Sequence, residues 1–257
     1  MYYALQRAPL VAQPLLTALY TLHQKLFESI SKVSDPDVGR VKLTWWKSEF
    51  EALAQDTPTH PVTQAIARYY YASAPPIRTF MTWLSGYQMD IDQTRYLNYL
   101  ELHRYLEQVG ATLANTVARV TACEPAVLES WAPKLGRALL FANIVKRTGS
   151  LAQCGRIYIP IDEMRRFSVT ADDILYSRYS NRLTQLMSFQ VKRARYFLTE
   201  ALNAIPQAER KTQRMLRAQA AILLAVLHEI EIEDYRVLHQ RITLTPIRKL
   251  WIAWCTQ

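Results

Sequence analysis

Apolar residues recur at three- and four-residue steps along nearly the whole chain. Leu19, Leu22, Leu26, Ile30 and Val33 form one such stripe, the mark of a helix with a single buried face. Asp35-Pro36 then reads as an N-cap with proline in the first turn, where a missing N–H costs nothing. The helix it opens carries Val38, Val41, Leu43, Trp45, Trp46, Phe50 and Leu53. Thr59-His60-Pro61 opens another, through Ile66, Tyr69 and Tyr70, and Pro75-Pro76 ends it and starts a segment with Phe80, Met81 and Leu84. Long helices are expected over 95–121 and 125–146, with a short loop between Gly155 and Pro160. Thr170 to Asp173 fits a capping box, so the Asp172-Asp173 doublet reads as a helix start rather than a pair of metal ligands. Further helices are expected over 175–205, 208–238 and 246–254. No strand alternation, fixed-period repeat or Gly/Ser-rich linker interrupts the series. The pattern predicts an all-α protein, a single domain over residues 1–257.

Composition agrees. The chain has 257 residues, half of them hydrophobic and only six of them glycine, which suits a compact helical core. Cys123, Cys154 and Cys255 are odd in number and form no C-x-x-C pair, so a disulfide framework is not expected and a reducing compartment is. The apolar N-terminal stretch is broken by Gln6, Arg7, Pro9, Gln13 and Pro14, unlike a signal peptide, and no window approaches a membrane span. The expected location is cytoplasmic, with peripheral membrane contact as an extension.

A net charge of +9 points to anionic lipid, a diphosphate ligand or an acidic partner, with a solvated basic helix face as the plain alternative. No nucleic-acid-binding motif is present, and nucleic acid is not an expected partner. His23, His60, His103, His228 and His239 show no metal spacing, and His228 to Asp234 reads as a solvated acidic face. Nucleophile elbow, P-loop and dinucleotide motifs are missing. Trp45, Trp46, Tyr69, Tyr70 and Tyr71 are expected mainly in the core, although three consecutive tyrosines cannot all face inward.

The stretch Asn143 to Pro160, NIVKRTGSLAQCGRIYIP, carries the candidate chemistry. It resembles the second signature of the squalene/phytoene synthase family, in which N-I-L-R-D, a second aspartate and G-R-x-Y-L-P follow at fixed spacing. Other elements resemble that family in order. They are Leu19-Tyr20 with its helix, Val33 to Trp46, Gly86 to Tyr96, Tyr105 to Ala114, the R-A-R-Y-F run with Arg193 and Arg195, and Val237 to Trp254. The resemblance covers about residues 14–254. It implies a type I isoprenoid synthase fold, an all-α bundle around a central cavity.

The family joins two prenyl diphosphates head to head, with Mg2+ held by aspartate-rich motifs on facing helices. Hard oxygen ligands suit Mg2+, which stabilises charge on the departing diphosphate. Here the first motif falls on Phe27, Glu28 and Ser31, and the second on Arg147 and Leu151, with Ser150 between. Leu140 stands where a glutamine is usual, and Gly110, Ala111 and Ala114 depart from the cavity-lining pattern. The resemblance thus implies no catalytic residues, no metal site and no cofactor, with Mg2+ only if the protein is active. It is similar to a degenerate branch that includes an assembly factor for respiratory complex I, which implies a scaffold with a protein partner or a binder of anionic or prenyl lipid. Candidate headgroup contacts are Lys146, Arg147, Arg156, Tyr158, Arg193 and Arg195. The alternatives are a helix C-terminal cap for Arg156 with Tyr158 packed inside, and an ion pair of Arg147 with Glu28 or Asp90. Asp90 and Asp92 are expected on a loop. The rival functions are an active or paired head-to-head transferase of isoprenoid or hopanoid synthesis, and a non-catalytic prenyl-lipid carrier. An open apolar cavity favours the carrier. A cavity plugged by Phe27, Leu140, Phe141 and Leu151 favours the scaffold.

Overall fold

The computed structural model describes residues 1–33, 35–69, 75–121, 123 and 125–256; the expectations for Tyr70 and Tyr71 lie outside them. Among the described residues every regular element is helical. α1 (Tyr2–Leu5) and a short 3-10 turn precede α2 (Gln13–Ser31), followed by α3 (Pro36–Ala54), α4 (Pro61–Ala67) and α5 (Ile77–Asp92). Next come α6 (Tyr99–Tyr105) and α7 (Thr112–Val120), joined by a π-helical turn, and the central α8 (Pro125–Lys146). Four shorter and longer helices follow: α9 (Thr148–Ala152), α10 (Ile161–Arg166), α11 (Ala171–Leu175) and α12 (Asn181–Asn203). α13 (Arg214–Ile232) and α14 (Pro246–Cys255) complete the series.

Local chemistry sets many of these boundaries. The Asp35 carboxylate accepts the Asp37 N–H at 2.9 Å, and the His60 ring accepts the Val62 N–H at 3.1 Å. Thr170 and Asp173 close the reciprocal box expected of them. α2 buries Leu19, Leu22, Leu26 and Ile30 as its stripe requires. α8 spans the interval expected for it and packs against α12, the π turn, α7 and α13.

Several expectations are corrected. Val38, Val41 and Trp45 are exposed, because α3 buries only the side that holds Leu43, Trp46, Phe50 and Leu53. The helix expected from residue 95 starts at Tyr99, where the Asn98 side chain caps the Glu101 N–H. Residues 175–205 are not one helix: Ser177 takes φ +53°, and Ser180 caps a new start at Asn181. α13 stops at Ile232 because Asp234 and Tyr235 both turn left-handed, at φ +50° and +58°. Asp90 and Asp92 lie on α5, not on a loop.

The π turn (Leu106–Ala111) sits where two backbones nearly touch. A Cβ on Gly136 would stand 2.2 Å from the Gly110 carbonyl oxygen, and one on Gly110 would stand 2.6 Å from that of Gly136. Only glycines allow α8 this close to the turn. One contiguous apolar core runs from Ala8 to Leu244, with Trp83, Trp131 and Tyr87 fully enclosed.

Candidate functional site: a chamber between α2 and α8

α2 and the α8–α9 corner enclose an open chamber of about 720 Å³. Tyr20, His23, Phe27, Glu28 and Ser31 line it from α2; Leu140, Asn143, Arg147 and Leu151 line it from the other side. Tyr87, Tyr105 and Tyr158 also contribute to its wall. A smaller void of about 260 Å³ shares Tyr20, His23, Leu140, Asn143 and Arg147 and continues past Gly110, Ala114 and Lys146 to Gln219. Phe141 is no part of the wall: it is buried among Tyr99, Phe197 and Arg193.

The degenerate motif positions do face each other. The Arg147 guanidinium carbon lies 5.1 Å from the Phe27 ring centroid, within the range of a cation–π contact. Arg147 is exposed at the mouth. Neither expected ion pair forms, because both carboxylates are engaged elsewhere. Glu28 accepts from Gln24 at 3.0 Å and pairs with Lys25 and Lys32 of its own helix region at 3.5 and 3.4 Å. The Gln24 hydrogen bond and those two lysines hold its carboxyl below the ordinary range. Among the described residues, Arg147 has no carboxylate within ion-pair distance.

These residues do not fit a Mg2+ centre. Hard-cation sites need converging oxygens. The facing positions supply an aromatic ring, a guanidinium, a leucine and one carboxylate already held by two lysines. Among the described residues no group of three or more His, Cys, Asp or Glu side chains could hold a metal.

Asp90 anchors a second, buried cluster. Its carboxylate accepts the Tyr158 hydroxyl at 2.6 Å and pairs with Arg156 at 3.0 Å. Burial pushes it up to about 6, against the downward pull of Arg156, Tyr158 and Tyr96. Arg156 also donates to the Asp90 carbonyl at 2.9 Å and the Ile30 carbonyl at 3.0 Å, so one guanidinium closes the C-terminal ends of α5 and α2. Tyr158 is buried.

The other candidate cations divide. Lys146 is half-buried, donates to Asn143 Oδ1 at 3.1 Å and lines the smaller void. Burial, then Arg147, Arg241 and Lys249, lower its amine to about 8. Arg193 forks onto Glu163 at 2.5 and 2.8 Å and stacks 4.5 Å over Tyr99. Arg195 pairs with Glu231 at 2.5 Å. Neither lines the chamber.

His23 is a lining residue not singled out in the sequence. Its Nδ1 lies 2.8 Å from the Tyr87 hydroxyl, and burial, reinforced by Arg147, lowers it to about 4. Tyr20 donates to Gln219 at 3.1 Å. The signal for both was helical register: Tyr20, His23 and Phe27 step by three and four along one face of α2.

An all-α bundle with a chamber between two facing motif helices defines a protein of the isoprenoid synthase class. The chain belongs to the squalene/phytoene synthase family, whose model matches residues 1–248. It is 26% identical to a phytoene synthase of Arthrospira platensis over 97% of this chain and 85% of that protein. It is also 26% identical to chloroplastic phytoene synthase 1 of Arabidopsis thaliana, over 91% of this chain but 57% of that one. A crystal structure of a dehydrosqualene synthase in complex with ligand matches with a TM-score of 0.83 at 20% identity, covering 98% of this chain and 88% of that chain. A squalene synthase from Alicyclobacillus acidocaldarius matches at 0.66 and 17% identity, covering 90% and 98%. These two likenesses are of fold.

Proposed function

We propose that this protein is a non-catalytic member of its family that holds a phosphate-headed lipid, a prenyl diphosphate or a phospholipid, in the chamber. The observation that carries this reading is Arg147, a permanent cation on the Phe27 ring where the family places metal-binding carboxylates. Lys146 adds a second cation, with its amine depressed by burial among like charges. An anion beside the two relieves that repulsion, and the planar guanidinium suits phosphate oxygens. The apolar tail lies along Phe27, Leu140 and Leu151. Fixed positive charge thus stands in for the metal as a headgroup holder, with no carboxylate cluster to drive ionisation. The open chamber supports lipid holding over a scaffold with a filled interior.

The similarity to phytoene synthases along nearly the whole chain favours a second reading, an active head-to-head transferase. One assay separates the two. Farnesyl or geranylgeranyl diphosphate with Mg2+ is expected to release no pyrophosphate above the blank, and robust release would sink the proposal. Equilibrium dialysis of farnesyl diphosphate and of phosphatidic acid, without metal, is expected to show binding that Arg147→Asp weakens. Equal binding by wild type and variant would exclude the headgroup role. Binding is also expected to weaken as pH rises through about 8, where Lys146 loses its proton.

A further inference from the structure

α14 turns its large apolar side chains outward. A surface helix of a water-soluble protein normally buries them. In α14 the buried residue is Ala253, seated against Ala4 of α1 and Ala218 of α13. Ile247, Leu250, Trp251 and Trp254 follow at i, i+3, i+4 and i+7 and are 80%, 53%, 67% and 69% exposed. They form one stripe on one side of the helix. The Arg7 guanidinium lies 5.7 Å over the Trp254 ring, and the chain runs on from it to Leu10 and Val11, each 83% exposed. An exposed apolar stripe of this kind marks an interaction site.

Charge selects the occupant. Arg7 lies over the Trp254 ring and Arg248 flanks the stripe, and residues 1–12 and 236–256 contain no aspartate or glutamate. Arg248 pairs with Glu229 of α13, and Lys249 donates to Thr243. Among the described residues Arg236, Arg241 and Lys249 have no carboxylate within ion-pair distance. A second copy docked here by a two-fold axis would bring cation against cation. Tryptophans and an aliphatic stripe bordered by Arg7 and Arg248 instead match the headgroup level of a bilayer.

We infer that α14, with the Leu10–Val11 tip, is a docking face for an anionic phospholipid membrane. The helix lies in the headgroup plane, with Ile247, Leu250, Trp251 and Trp254 reaching the acyl boundary and the cations meeting lipid phosphates. At ten residues α14 is too short to cross a bilayer. α1 packs on α14, and its Tyr2 and Leu5 line the chamber, so docking sets the chamber rim beside the bilayer. This inference stands apart from the chamber's occupant.

The test is flotation of the full chain with phosphatidylcholine vesicles, alone and mixed with phosphatidylglycerol. Wild type is expected to float with the mixed vesicles only, and several-fold less at about 0.5 M salt than at about 0.1 M. Leu250→Glu/Trp251→Glu is expected to lower that binding about tenfold or more. Both side chains are exposed, so the circular dichroism melt should not move. Farnesyl diphosphate binding by the Leu250→Glu/Trp251→Glu variant is expected to match wild type, since neither residue lines the chamber, which keeps a failure of the chamber reading separate. No flotation, equal binding to neutral vesicles, or equal binding by the double variant overturns the inference. A dimer in sedimentation velocity that the same substitutions abolish would assign the face to a second copy and overturn it too.

Discussion

Arg147 and Phe27 come from the two facing motifs and meet each other, with the guanidinium carbon 5.1 Å from the ring centroid. Two carboxylates at these places would need a cation between them. A cation on an aromatic face needs none.

That contact is measurable as a coupling. Phe27→Leu, Arg147→Met and the double variant, unfolded in urea, should give a coupling energy of about 0.5–1 kcal/mol, the range for an exposed cation–π pair. Strict additivity would show that the two residues are merely near each other.

His23 reports the charge of Arg147. Burial is the larger cause of its lowered value and Arg147 the smaller, so Arg147→Met should raise the imidazole from about 4 only part of the way to 6.5. An NMR titration of the ring reads this directly. The stability linkage has a definite sign. The folded value lies below the unfolded one, so this contribution is present above about 6.5 and lost as pH falls toward about 4. His23→Gln should lack that loss.

Arg156 serves structure. Arg156→Met strands a buried carboxylate and the carbonyls of Ile30 and Asp90, and is expected to cost about 3–5 kcal/mol in urea unfolding. Asp90→Asn in that background should recover part of the loss. Asp90 itself has a raised folded value, so its contribution is fully present below about 3.8 and lost as pH rises through about 6. The wild-type and Asp90→Asn stability profiles should diverge over that window; parallel profiles would refute the assignment.

Gly136→Ala places a Cβ 2.2 Å from the Gly110 carbonyl oxygen, with backbone on both sides. Loss of at least about 2 kcal/mol is expected, seen as a lowered melting temperature. Gly155→Ala makes the comparison. It meets open space at φ +72°, so it should cost only the left-handed backbone penalty of about 1–2 kcal/mol. Equal losses at the two positions would contradict the close-approach account.

The caps at Asp35, His60 and Thr170 and the limits of α8 were legible because each depends on a few neighbouring residues. α1, α9 and α10 were not, since four- to six-residue helices carry too little periodicity to stand out. Asp90 and Asp92 looked alike in sequence. On α5 they point to different sides, so Asp90 is buried against Tyr158 and Arg156 while Asp92 pairs with Arg40 at the surface. Arg193 and Arg195 looked available for an anion until α10 and α13 supplied Glu163 and Glu231.

The sequence by itself determined the family, the helical class and the chemical identity of the motif positions, because side-chain type and spacing belong to the chain whatever its fold. It therefore contained the loss of the carboxylates. Only the tertiary structure decided that Phe27 receives Arg147, that Arg156 closes two helix ends, and that the stripe of α14 faces outward. Each of these depends on which distant segments share a surface. Burial and the packing of far-apart helices set that, and local pattern does not encode it.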